Sequence, residues 1–199
     1  MEVATKQIPQ KMKRRETKLQ SIYSRGLISR TIVLPITTIG KNIKETIETN
    51  IKFNFEGKCL VEGFIKPNST NIISFSSGLI IKGSLISFEV IFECEICFPV
   101  EGMLISCTAK NITKAGIKAE SSLDVPSPVI VFIARDHHYN IEHFNNVKEG
   151  DKINVRVIGQ RFELNDQFVS VIGELIKPKE KEFTYKPKED KKARIVLED

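Results

Sequence analysis

The sequence predicts two modules in series: an α+β domain over residues 26–100, an antiparallel sheet with one short helix, and a small all-β barrel of five strands over residues 101–176. Three observations predict them. Ile43, Ile47 and Ile51 recur at a spacing of four, which puts one apolar stripe on a helix of about three turns. Phe88, Val90, Phe92, Cys94 and Ile96 alternate with Glu89, Glu93 and Glu95, the period of a strand buried on one face. Beyond Gly102, five short apolar segments separated by turn residues fall within about 75 residues, the density of a small barrel.

Taken in order, residues 1–25 are a polar arm with a basic cluster, Lys11-Met12-Lys13-Arg14-Arg15, which reads as a solvated segment, a nucleic-acid contact or a nuclear-import signal. Thr31–Ile36 is β-branched and predicts a strand ending near Pro35. The isoleucine helix follows, with Thr37 or Thr38 as its expected cap. Lys58–Ile65 predicts one strand, Lys66–Asn71 is turn chemistry, and Ile72–Phe75 and Gly78–Ile81 are short apolar pieces. Ser84–Phe98 is a long strand whose alternation slips around Val90–Phe92, where a bulge is expected.

The stretch from Phe98 to Gly116 is the join. The second module opens at Gly102, with strands expected at Gly116–Glu120, Val129–Ala134, Lys152–Ile158 and Gln167–Leu175, and Gly116 marking a bend. Residues 177–199 form a charged tail in which Lys177-Pro178-Lys179-Glu180 recurs as Lys186-Pro187-Lys188-Glu189. Such a segment cannot build a core. Ile195-Val196-Leu197 near its end reads either as a docking strand or as a loose end.

The net charge of +5 is unevenly spread. Residues 1–30 carry 8 Lys/Arg against 2 Asp/Glu, residues 177–199 carry 8 against 6, and residues 31–176 carry 14 against 17. The ends are basic and the middle is not, so a domain-wide basic patch is not expected. No apolar run reaches the ~20 residues of a membrane span, and the N-terminus lacks a signal-peptide core, so an intracellular protein is expected. Cys94 and Cys97 make a lone C-x-x-C. On a strand, positions three apart face opposite ways, so these two and Cys59 and Cys107 read as free thiols and not as a metal site. Adjacent His137 and His138 splay apart on an extended chain, so with Asp136 and His143 they do not predict a metal centre. No phosphate loop, nucleophile–base pair or acidic magnesium cluster stands out. No catalytic residue and no cofactor are expected.

Gly102, Leu104, Ala109, Ile112 and Gly116, with the later run Gly150-Asp151-Lys152-Ile153-Asn154-Val155-Arg156-Val157, resemble the RNA-binding OB fold of the ribosomal S-one type. From about Ile28 to Leu175 the chain is similar to a wider pattern. That pattern comprises Val33-Leu34-Pro35 before a helix, Gly63-Phe64-Ile65, Phe88-Glu89-Val90-Ile91-Phe92, Phe98-Pro99-Val100-Glu101-Gly102, Val131-Phe132-Ile133 and Val171 to Leu175. It is the pattern of the seventh subunit of eukaryotic RNA polymerase II and its counterpart in the archaeal polymerase stalk. The resemblance implies a non-catalytic subunit of a DNA-directed RNA polymerase. Its first module would dock on the largest core subunits near the clamp through the loop around Gly63, Phe64, Ile65 and Pro67. Its barrel would meet nascent single-stranded RNA at the exit path, and a fourth-subunit stalk partner would pack against both modules.

The chain departs from the S-one pattern at Lys118, where a base-stacking aromatic is usual, and at Ala134, where a second aromatic or histidine is expected. The alternation that exposes Arg135 would bury Phe132. Backbone electrostatics is therefore the expected mode, through Lys110, Lys114, Lys118, Arg135, Arg156 and Arg161, with His137 and His138 nearby. A freestanding OB-fold RNA adaptor, of exosome-cap or translation-factor type, is the competing reading. The Ile-, Asn- and Lys-rich composition suits an AT-rich genome, either a large DNA virus with its own polymerase or a divergent eukaryote. Those sources imply the virion and host cytoplasm, or the nucleus.

Overall fold

In the computed structural model, residues 21–121, 124–138 and 142–177 are described. The arm ahead of Ser21 and the tail beyond Lys177 lie outside them. The described chain runs β1 (Tyr23–Pro35), α1 (Ile43–Phe55), β2 (Cys59–Leu60), β3 (Gly63–Ile65), β4 (Asn71–Phe75), β5 (Leu79–Ile80), β6 (Leu85–Cys97), then β7 (Leu104–Ile112), β8 (Gly116–Ser121), β9 (Val129–Ala134), α2 (Glu142–Asn146), β10 (Lys152–Arg161) and β11 (Val169–Ile176).

The first module is an antiparallel sheet centred on β6. Strand β1 pairs along the whole of β6 on one side, from Tyr23 opposite Cys97 to Pro35 opposite Leu85. On the other side β3, β4 and β5 share its length in turn. The alternation in β6 is regular. Phe88, Val90, Phe92, Cys94 and Ile96 are buried, together with Ile28, Ile32 and Leu34 of β1, beneath Ile47 and Ile51 of α1. Phe55 at the end of α1 stacks on Phe92 with ring centroids 6.0 Å apart. The isoleucine stripe thus faces the sheet, as its spacing requires.

Three local expectations are corrected. The N-cap position of α1 is Asn42, and no side chain caps it; the Thr38 hydroxyl instead donates to the Pro35 carbonyl at 2.7 Å within a short 3-10 turn. The Lys58–Ile65 stretch is a hairpin and not one strand: Cys59 pairs with Phe64 and Leu60 with Gly63. Gly63 makes this fold back possible. It sits at φ +127, and a Cβ there would lie 2.6 Å from the Cys97 carbonyl oxygen. The bulge is opposite Phe92 and Ile91, but the extra residue belongs to β4, where Ile73 is left out between Ile72 and Ser74. A bulge in either strand breaks the same pairing, so the local slip in β6 marks the right place on the wrong strand.

The second module is a closed barrel in the order β7-β8-β9-β11-β10, with β10 pairing back onto β7. Strand β9 pairs parallel to β11, and every other pair is antiparallel. First, second, third, fifth, fourth is the OB arrangement. Alternating residues fill the interior: Ile105, Cys107 and Ala109, then Ile117 and Ala119, Val129, Val131 and Ile133, Ile153, Val155 and Val157, and Val169, Val171 and Leu175. At Gly116 a Cβ would lie 2.2 Å from the Ile133 carbonyl oxygen, so only glycine lets β8 pass β9 at this corner.

The sheet keeps a core of its own under α1, and its edge near the join packs into the barrel's core. Ile22, Cys59, Phe64 and Cys97 belong to the same buried cluster as the barrel interior. The loop from β10 to β11 reaches back to β2: the Cys59 N–H donates to the Asp166 carbonyl at 2.7 Å, and the Asn165 N–H to the Cys59 carbonyl at 2.9 Å. Phe98 meets Phe162 edge to face at 6.0 Å. Cys94 and Cys97, on opposite faces of β6, fall into different cores, Cys94 with the sheet and Cys97 with the barrel.

Candidate nucleic-acid interface

The outward face of the barrel follows from its register. Asn111 on β7, Lys118 on β8, Phe132 on β9 and Ile172 on β11 lie side by side in one row. All four are exposed; Phe132 retains 40% of its accessible surface and Ile172 53%. This corrects the expected burial of Phe132. The strict alternation runs only to Ala134, and Arg135 begins a 3-10 turn, so the exposure of Arg135 carries no parity information about β9. An aromatic ring therefore stands beside Lys118, on the neighbouring strand. A ring beside a cation is the chemistry that base stacking with a phosphate contact would need.

The cations expected to bind backbone fall into two groups. Lys114 and Lys118 are exposed, and among the described residues neither has an ion-pair partner. His137 is exposed in the turn after β9. Lys110 stands 3.8 Å from Glu120, Arg156 3.1 Å from Glu174, and Arg161 3.0 Å from Glu163. Arg135 is committed within the fold. Its Nε donates to the Lys114 carbonyl at 2.9 Å, Nη2 to the Thr113 carbonyl at 3.3 Å and Nη1 to Asn145 Oδ1 at 3.3 Å. Its guanidinium lies over the Phe144 ring, 5.1 Å from the centroid. Arg135 thus ties the β7–β8 turn, which carries Lys114, to α2.

Beneath that brace sits His138, expected beside the RNA-facing cations but buried instead. His138 is 1% exposed and stacks on Phe144 at 5.3 Å. Its Nδ1 lies 2.7 Å from the Ala134 carbonyl, and the Leu175 N–H donates to its Nε2 at 2.9 Å. An N–H can only donate, so Nε2 accepts and Nδ1 carries the proton. The ring is a neutral pin between the ends of β9 and β11. The only signal for it in the sequence is a histidine at the end of an apolar strand. Among the described residues no cluster of three His, Cys, Asp or Glu is placed to hold a metal ion.

Where the barrel meets the sheet there is a cleft of about 690 Å³, lined by Tyr23, Lys58, Phe64, Lys66, Pro67, Lys110, Glu120 and Asp124 among others. Lys66 holds Glu95 at 2.6 Å and lies 4.7 Å from the centre of the Tyr23 ring. Burial, and then a hydrogen bond to Asp124, push the Tyr23 phenol well above its usual range. Of the residues expected to dock on a larger body, Gly63, Phe64 and Ile65 form the buried strand β3, with Phe64 3% and Ile65 0% exposed. The parts of this hairpin that face outward are Val61, Glu62 and Pro67. The Arg30 guanidinium grips both Glu62 carboxylate oxygens, at 2.8 and 2.6 Å, and fixes the hairpin against β1.

A closed barrel in the OB strand order, with an exposed aromatic–cation row and joined to a one-helix antiparallel sheet, defines a two-module protein with an OB-type barrel. Similarity to known proteins narrows this. No family model matches the chain. It is similar to a chain of Acanthamoeba polyphaga mimivirus carried provisionally as a DNA-directed RNA polymerase subunit, 28% identical over 174 residues that cover 79% of this chain and 83% of the relative. It is also similar to subunit 7 of DNA-directed RNA polymerase II of Arabidopsis thaliana, 22% identical over 172 residues covering 74% of this chain and 95% of that one. The resemblance to the seventh-subunit polymerase family, carried first by motifs, extends over most of the chain.

Proposed function

We propose that this chain is a non-catalytic stalk subunit of a multisubunit DNA-directed RNA polymerase. In this reading the sheet module docks on the core near the clamp through the Val61–Glu62 turn and Pro67. The barrel presents the Lys118–Phe132 row to nascent RNA at the exit path. The observation that carries the reading is the packing at the join. A stalk has to hold its RNA-facing barrel at a fixed angle to its docking end, and here Cys59, Phe64 and Cys97 are packed into the barrel itself. Modules joined by a flexible linker would suit an adaptor that searches for its ligand. The sheet face away from α1 leaves Leu27 69% and Ile91 40% exposed, and a fourth-subunit-like partner would cover such a face. The likeness to a mimivirus chain supports the viral setting, with transcription in the host cytoplasm and packaging of the polymerase in the virion.

Purification of the tagged chain from its native setting tests the assignment: the large polymerase subunits co-purify. Recovery without them leaves the freestanding RNA-binding adaptor, which the exposed aromatic–cation row would equally serve. Filter binding of single-stranded RNA at two salt concentrations tests the barrel, and absence of binding at low salt defeats that part.

A further inference from the structure

The outward row that holds Lys118 and Phe132 is shaped at both ends by β-bulges. On β10 the register with β11 shifts between Val157, opposite Gly173, and Gly159, opposite Ile172. Ile158 is the extra residue, so two positions of β10 stand against one of β11. Ile158 is 46% exposed beside Ile172. On β7 the register with β8 shifts between Ala109 and Asn111, and Lys110 and Asn111 are both exposed opposite Lys118. The row therefore has a polar, cationic end in Lys110, Asn111 and Lys118, and an apolar end in Phe132, Ile172 and Ile158. Three strand spacings, about 14 Å, separate Lys118 on β8 from β10.

Gly159 closes the apolar end. A Cβ built there meets no atom within 4 Å, and its φ lies outside the left-handed region, so neither packing nor backbone conformation demands glycine. Glycine here leaves bare backbone beside two exposed isoleucines, where a ligand can come close. At Ile172 the strip is one residue wide, bordered by Ser170 and Arg161 on one side and by Glu174 and Arg156 on the other. With polar rows about 7 Å to either side, it is too narrow for the ~800 Å² that each partner of a stable protein interface buries. It matches a single strand, whose bases follow one another in file beside cations that hold its backbone.

We propose that single-stranded RNA crosses the barrel along this whole row, its backbone held by Lys110 and Lys118 and its unpaired bases laid on Phe132, Ile172, Ile158 and the open backbone of Gly159. This rests on the RNA reading of the barrel given above and extends that site from β8 and β9 onto β11 and β10. No side chain of the apolar end donates or accepts a hydrogen bond, so the bases there are held without regard to sequence.

The test titrates a single-stranded RNA of mixed sequence with the full chain, I158S/I172S, Gly159→Val and Phe132→Ala over a range of salt. Ile158 and Ile172 are exposed and the Cβ added at Gly159 stands in open space, so the melts of the first two variants should match the parent. I158S/I172S should lose roughly tenfold in affinity and Gly159→Val a smaller factor, both with the parent's slope of log affinity against log salt, because apolar contacts release no counterions. Parent-like binding by either variant, while Phe132→Ala is weakened, overturns this inference alone and leaves the barrel reading standing. A slope that falls in I158S/I172S would mean disturbed cations and overturns it as well. If I158S/I172S binds RNA as the parent does but no longer co-purifies with the large polymerase subunits, the strip is a protein contact and the inference fails. No binding by the parent defeats both.

Discussion

Replacing His138 by Phe isolates what the neutral imidazole contributes. The ring-for-ring exchange keeps the stack on Phe144, now 5.3 Å, and leaves little cavity. It removes both polar contacts: the Leu175 N–H loses its acceptor at 2.9 Å and the Ala134 carbonyl its donor at 2.7 Å. Water cannot readily compensate, because the ring is 1% exposed. An unpaired buried N–H costs about 1–3 kcal/mol and the lost carbonyl bond about 1, so the expected loss is about 2–4 kcal/mol. For a body of this size each kcal/mol lowers Tm by about 2–4 °C, so the melt should fall by roughly 5–15 °C. Far-UV melts and urea titrations with an unchanged m-value measure it. His137→Phe, exposed in the same turn, is the control and should stay within about 0.5 kcal/mol of the parent. A shift below about 2 °C for His138→Phe would mean that the Leu175 N–H is not held by this ring, and the pin would be discarded.

Phe132→Ala should weaken RNA binding by about 1–3 kcal/mol with the salt slope unchanged, while Lys118→Ala should lower the slope by about 0.7; the same slope change in both variants would deny Phe132 a stacking role. Gly116→Ala should cost several kcal/mol or prevent folding, since its Cβ would sit 2.2 Å from the Ile133 carbonyl oxygen, and a soluble variant with the parent's melt would show that the corner can relax. Burial raises the thiols of Cys97 and Cys107 to about 12. A raised folded pKa gives stability that is complete below the unfolded value and is lost as pH climbs through the folded one, so Tm should fall between pH about 9 and about 12. Cys107→Ala should flatten that fall, and an identical pH profile in the variant would exclude the thiol as its source.

The barrel is legible in the sequence because each strand is short, alternating and bounded by turn residues, and Gly116 announces its corner. The helix is legible from three isoleucines. What is not legible either lacks a local turn signal or depends on partners far away in the chain. The Cys59–Ile65 hairpin turns at Val61-Glu62, which lacks the Asn-Gly or Asp-Gly chemistry of a recognisable tight turn, so it reads as one strand. The apparent slip near Phe92 is Ile91, an apolar residue on the exposed face of a regularly alternating strand, and the bulge opposite it belongs to β4 at Ile73. Parity does not carry across the end of β9 into a 3-10 turn, so Arg135 says nothing about the side on which Phe132 lies. His138 depends on the N–H of Leu175, which lies 37 residues further on. The hairpin and the turn after β9 are local features without a sequence signal, whereas the β4 bulge and the His138 bond are settled by non-local contacts.

One such contact decides how the molecule behaves as a mechanical object. Phe64 belongs to the sheet by its backbone, pairing with Cys97 of β6, and to the barrel by its side chain, which is 3% exposed within the barrel's cluster. If the modules were separately stable, truncating Phe64 would loosen only the hairpin. Because Phe64 is paired to β6 by its backbone and packed in the barrel's cluster by its side chain, Phe64→Ala should remove about 3–5 kcal/mol from both modules together. Hydrogen exchange measures this residue by residue: the amides of Val131 in the barrel and Val90 in the sheet should lose protection by the same amount, in one cooperative melt. Two transitions, with Val131 as protected as in the parent, would show that the join is a hinge. The stalk reading would then lose the rigidity on which it rests.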